Sequence, residues 1–157
     1  MPLNKSQMQT SVDDLSINSP VSLEDSASKW SSIINEYAFG GMVPPGMIPT
    51  FPTEASQDTN LKSKFLKSME NSTFLDDLQL ILTEFFQKSI WFSVGFTGVV
   101  SVVPPTLVAL LAVFKTENLA GLPPSQSLVD IIDNWVKIIQ ITVTNVTTGA
   151  TTISNIS

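Results

Sequence analysis

The chain has 157 residues, the size of one ordinary domain, and its eight basic residues against 14 acids leave a net charge of −6. Such a balance, with no lysine cluster interleaved with aromatics, repels phosphate backbones and points away from direct nucleic-acid binding. Every basic residue is a lysine and neither histidine nor cysteine occurs, which removes the imidazole base, the thiolate nucleophile, the zinc cage and the disulfide framework.

Residues 1–20 are rich in Ser, Asn, Gln and Thr, with too few apolar side chains to offset the entropy of ordering. This predicts a mobile arm. The stretch also lacks the apolar core of a secretory signal, so the chain is expected to be made and kept in the cytoplasm. The Asn-x-Ser/Thr triplets at Asn71, Asn145 and Asn155 then carry no meaning.

At Ser22 the pattern changes. Ser22-x-x-Asp25 resembles a capping box with a shortened acid, and Ala27, Trp30, Ile33, Ile34 and Tyr37 recur at helical spacing until Gly40-Gly41. Residues 40–60 hold Pro44, Pro45, Pro49 and Pro52 with Met42, Val43, Met47, Ile48 and Phe51 between them. They predict an extended apolar segment lying against a surface.

Asn60 is placed to cap a helix with the stripe Leu61, Phe65, Leu66 and Met69. Thr73-x-x-Asp76 starts another, running to about Trp91 with Leu75, Leu78, Ile81, Leu82, Phe85 and Phe86 on one face. From 89 to 114 there is no charged residue. Pro104-Pro105 divides this run, whose first part, 92–103, is expected to be buried and partly extended, with a short helix over 105–115. Ser127-x-x-Asp130 is placed to cap the last helix, with Leu128, Ile131, Ile132, Trp135, Ile138 and Ile139 inward. Ile141 and Val143 begin a β-branched, partly alternating end that reads as a strand or arm.

The expected fold class is mainly α, with four or five helices, a Pro-rich loop and extended arms at both ends. Its divisions are a mobile arm over 1–20, a helical domain over 21–146 that includes the extended segment 40–60, and an extended tail over 147–157.

The acids with any potential for chemistry are Asp76, Asp77, Glu84, Asp130 and Asp133. Asp76 and Asp130 stand at expected helix starts, where a carboxylate stabilises by capping and by the helix dipole. Ser26-x-x-Lys29 lies on an ordinary amphipathic helix, and Gly95-Phe96-Thr97-Gly98 lacks the lysine and helix start of a phosphate loop. No catalytic, cofactor-binding or metal-ligating residue is assigned, and no cofactor is expected. Trp30, Trp91 and Trp135 fall on or beside apolar helix faces and read as core before interface.

Charged residues make up only 14% of the chain against a usual quarter, so part of the surface is expected to be covered by other protein. The candidate interface residues are Val43, Met47, Ile48, Phe51, Trp91 and Phe96. The order of several features resembles that of small virion structural proteins of tailed bacteriophages, those of tails, necks and baseplates. The features are the helix from Trp30 to Tyr37, the Pro-rich 43–52 segment, the run from Gly95-Phe96-Thr97-Gly98 to Pro104-Pro105, and Asp130-Ile131-Ile132-Asp133-Asn134-Trp135 before a Thr/Gly-rich end. The resemblance implies a non-enzymatic assembly subunit of the virion, docked through apolar helix faces and arms, with other structural proteins and further copies of itself as partners. The alternative is a membrane-active protein using residues 90–114. Its two arms about Pro104-Pro105 are too short for spans of about 20 residues each.

Overall fold

A computed structural model of the chain describes residues 3–50, 57–107, 109–112 and 124–157, and for 57–60 and 124–125 the backbone alone. Its elements in chain order are α1 (Lys5–Ile17), α2 (Leu23–Phe39), β1 (Ile48–Thr50), α3 (Gln57–Glu70), α4 (Phe74–Gln87), β2 (Ile90–Ser93), β3 (Phe96–Val102), α5 (Pro124–Val136), β4 (Gln140–Asn145) and β5 (Thr151–Asn155). Residues 107 and 109–112 are also helical. The strands form one antiparallel sheet in the order β1-β2-β3-β4-β5. The fold is therefore α/β, not mainly α as the sequence suggested.

The helices follow from their apolar spacing. In α2, Ala27, Trp30, Ile33, Ile34, Tyr37 and Ala38 are buried, and in α4 so are Leu78, Ile81, Leu82, Phe85 and Phe86. Ser22 caps α2 by accepting from the Asp25 amide at 3.1 Å, while the Asp25 carboxylate accepts from Val21 N–H at 3.1 Å. That second bond reaches one residue further back than in the usual capping box. It is also the first cause holding the Asp25 carboxyl below its ordinary value, with Lys29 acting in the same direction.

Two other expected caps are displaced. α5 begins at Pro124, where a missing N–H and a fixed φ suit the first turn, so Ser127 lies inside the helix. α3 begins at Gln57, which places Asn60 inside as well. Thr73 stands at the start of α4, but its hydroxyl bonds the Asp77 carboxylate instead of a helix amide.

The expected arm, 1–20, contains a helix. Asn4 caps α1 by accepting from the Gln7 amide at 3.0 Å, and Leu3, Met8 and Val12 are buried with Leu15 against them. Lys5 reaches Asp130 at 2.7 Å, tying α1 to α5, and Gln7 donates to Glu36 on α2 at 3.2 Å. These few buried residues recur at helical spacing within an otherwise polar run.

The helix expected to continue to Trp91 stops at Gln87, and the uncharged run that follows is a hairpin. Ser93 faces Phe96 across Val94 and Gly95, the latter at φ +83°, and Val94 is fully exposed. Within 92–103, expected to be buried, Gly98 alone is buried, with Phe96, Val100 and Val103 half-buried against the core. Beyond Pro104, Leu107 and Leu111 are buried, while 108 and 113–115 of the expected short helix lie outside the described residues. The expected tail is extended too, but it is paired along β4 as β5. Between these strands the Asn145 side chain accepts from the amides of Thr147 and Thr148, at 2.9 and 3.1 Å, and Gly149 at φ +71° completes the turn.

Candidate interaction surface

The two faces of the sheet have different tasks. Inward, Pro49, Trp91, Gly98, Ile141 and Val143 are buried, joined by Ile156 beyond β5. A Cβ on Gly98 would stand 2.8 Å from Ile141 Cγ2 and 3.1 Å from both Met47 Cε and Trp91 Cβ, so only glycine allows that approach. Trp91 satisfies its indole N–H by donating to Ser89 Oγ at 3.0 Å, and Trp135 on α5 donates to the Pro104 carbonyl at 2.8 Å. Phe86 meets Trp135 edge-on, with centroids 5.9 Å apart. Sheet and helices share one continuous core.

Outward, the register aligns two rows across all five strands. One runs Thr50, Ile90, Val99, Thr142, Ile153, and the other Ile48, Phe92, Thr97, Thr144, Thr151. Neither row holds a charge, nor does any residue of the five strands. Ile48 is 49% exposed, Ile90 48%, Phe92 42%, Val99 56% and Ile153 66%. The first four are contiguous, since Ile48 pairs with Phe92 and Ile90 with Val99. Single exposed apolar residues are ordinary on a protein surface, and a contiguous uncharged group of them is a candidate contact surface.

Of the residues expected at an interface, Ile48 lies on this face. Val43, Met47 and Trp91 are buried beneath the sheet, where Val43 and Met47 bridge a tight turn, and Phe96 is half-buried at the hairpin end. Phe51 lies outside the described residues. The sequence reading missed Ile90, Phe92, Val99 and Ile153. Their alternation with Trp91 and Gly98 has no polar phase, so the sequence pattern does not separate them from the inward residues.

The carboxylates are engaged structurally. Glu84 pairs with Lys64, and Asp130 with Lys5. Asp133, 1% exposed, accepts from the Tyr37 hydroxyl at 2.7 Å through Oδ1 and from Lys137 at 2.7 Å through Oδ2. Burial first, and the Asp133 hydrogen bond second, push the Tyr37 phenol far above its ordinary range. Among the described residues, no group of three or more acids is placed to hold a metal ion. An open groove of about 470 Å³ between α1 and α2 is lined by polar side chains including Ser11, Asp14 and Lys29, and Lys29 pairs with Asp25 at 3.3 Å. No helix among the described residues is long and apolar enough to cross a membrane. No protein-family model, curated protein or solved structure matches the chain.

Proposed function

We propose that the chain is a non-enzymatic structural subunit of a large protein assembly and that it docks through the outer face of its sheet. The observation that carries this reading is the charge-free pair of rows through Ile90, Phe92, Val99 and Ile153. An antiparallel sheet whose second face meets water is ordinarily polar on that face, so apolar side chains there favour a covering protein. The helix faces expected to dock are occupied within the chain's own core. Docking is accordingly assigned to the sheet.

The assembly proposed is a tailed-bacteriophage virion, at the tail, neck or baseplate. This part of the reading rests on the resemblance in the order of sequence features. The subunit would be made in the host cytoplasm and carried in the particle, bound to other structural proteins through apolar contact and to nucleic acid not at all. Gradient fractionation of a lysate containing assembled particles tests it. The chain is expected to sediment with the particles after a high-salt wash, since apolar burial is not screened by salt. Recovery solely at the top of the gradient would overturn the reading.

A further inference from the structure

The two edges of the sheet are unlike. β1 is three residues long and carries Pro49, both of which discourage further pairing. β5 has neither proline nor charge, and its register with β4 is unbroken from Thr151 to Asn155. Exposed edges in natural proteins are ordinarily blunted by charge, proline or a bulge. This one is not.

Its backbone groups can be assigned to sides. In an antiparallel pair, successive residues direct their N–H and C=O groups alternately to the two neighbours. The Asn145 amide donates to the Ala150 carbonyl at 2.9 Å, so even-numbered residues of this segment face β4. Ser157 and Met42 exchange two bonds of 2.9 Å on the opposite side, so odd-numbered residues face outward. Among the described residues, the outward N–H and C=O groups of Thr151, Ile153 and Asn155 have no backbone partner.

We propose that this edge binds the same edge of a second copy, β5 against β5, antiparallel about a two-fold axis through Ile153. The register is self-complementary. Ile153 meets Ile153, and each Thr151 meets Asn155, so that every outward group finds a partner and each facing pair exchanges two hydrogen bonds. The chain marks both limits of the pairing, because Met42 already occupies the edge at Ser157 and the Gly149 turn leads away before Thr151. The net charge of −6 does not oppose the contact at short range, because β5 carries none of it.

Surface area favours a second copy over an unrelated strand. Five strands at about 4.8 Å spacing, each about 17 Å long, give a face of roughly 20 by 17 Å, or about 340 Å², well short of the about 800 Å² per partner that stable interfaces bury. A two-fold axis normal to the sheet places both outer faces on one side, making a continuous uncharged surface twice as wide. Pairing at β5 thus builds a docking face of sufficient size.

The test uses the whole chain in sedimentation velocity over a concentration series, with two variants. Proline at an edge position whose N–H points outward leaves the β4 ladder intact, so Ile153→Pro should remain folded by circular dichroism. Its self-association should be weaker by about tenfold or more. The chain has no cysteine, so Ile153→Cys offers a single thiol. Facing Cα atoms in a hydrogen-bonded pair lie about 5.5 Å apart, within disulfide reach, and mild oxidation should give a covalent dimer. Val99→Cys, on the same face but in a central strand, should not crosslink.

A monomer throughout the series, equal association of Ile153→Pro, or crosslinking through Val99→Cys in place of Ile153→Cys would each overturn edge pairing. Particle incorporation of a chain that stays monomeric in solution would retain the sheet-face reading and remove this one.

Discussion

Tyr37 and Asp133 are 96 residues apart in sequence, yet the phenolic hydroxyl donates to the carboxylate at 2.7 Å inside the core and so joins α2 to α5. Lys137 holds the other carboxylate oxygen from the surface. Replacing Tyr37 by phenylalanine leaves the buried acid with one fewer donor. A hydrogen bond to a charged group contributes about 1.5–3 kcal/mol, so Tyr37→Phe should lower the unfolding free energy by about that amount in a urea titration. An unchanged midpoint would show that the bond contributes nothing.

Tyr37 is the sole tyrosine of the chain, which makes alkaline unfolding legible in one signal. Its folded pKa is raised, so its contribution to stability is fully present below the ordinary value of 10.0 and declines as pH rises above it. Lys5 is raised as well, first by its hydrogen bond to Asp130, and its contribution is likewise lost as pH climbs beyond 10.5 through the higher folded value. Phenolate absorbance should therefore appear together with loss of helical circular dichroism, not before it. Separate transitions, with the phenolate first, would contradict the burial of Tyr37.

Gly98 tests the inner face. Alanine there would place a methyl group 2.8 Å from Ile141 Cγ2 and 3.1 Å from the Trp91 Cβ, so neighbours from three directions must yield. Overpacking of this kind costs about 1–3 kcal/mol, and Gly98→Ala should lower the thermal midpoint accordingly, with altered tryptophan fluorescence. A neutral effect would mean that β3 lies further from Met47 and Trp91.

How much of this was legible in the sequence depended on contrast. Ala27 to Tyr37 and Leu75 to Phe86 stand out because charged or polar residues fill the turns between them, and those helices formed. The hairpin of β2 and β3 gave no such contrast. Inward Trp91 and outward Ile90 and Phe92 are all apolar, so the two-residue period had no polar phase and the segment read as buried throughout. In α1 the opposite occurred. Met8, Val12 and Leu15 follow helical spacing, but the Ser, Gln and Thr around them hid a helix whose apolar side is narrow. The face at Ile90, Phe92 and Val99 emerged only once the register aligned strands that are distant in sequence.

Incorporation of a charged-face variant decides whether the chain docks through its sheet. Phe92→Lys with Val99→Lys places two charges on outward positions of β2 and β3 without touching the core, so the fold should persist with the circular dichroism and monomer stability little changed. Desolvating those charges would oppose burial of the face. The amount of the variant that co-sediments with particles, measured against the unmodified chain in the same lysate, should fall at least about tenfold, which corresponds to a binding penalty of about 1.4 kcal/mol. Equal incorporation of a folded double variant would show that the sheet face is not the docking surface.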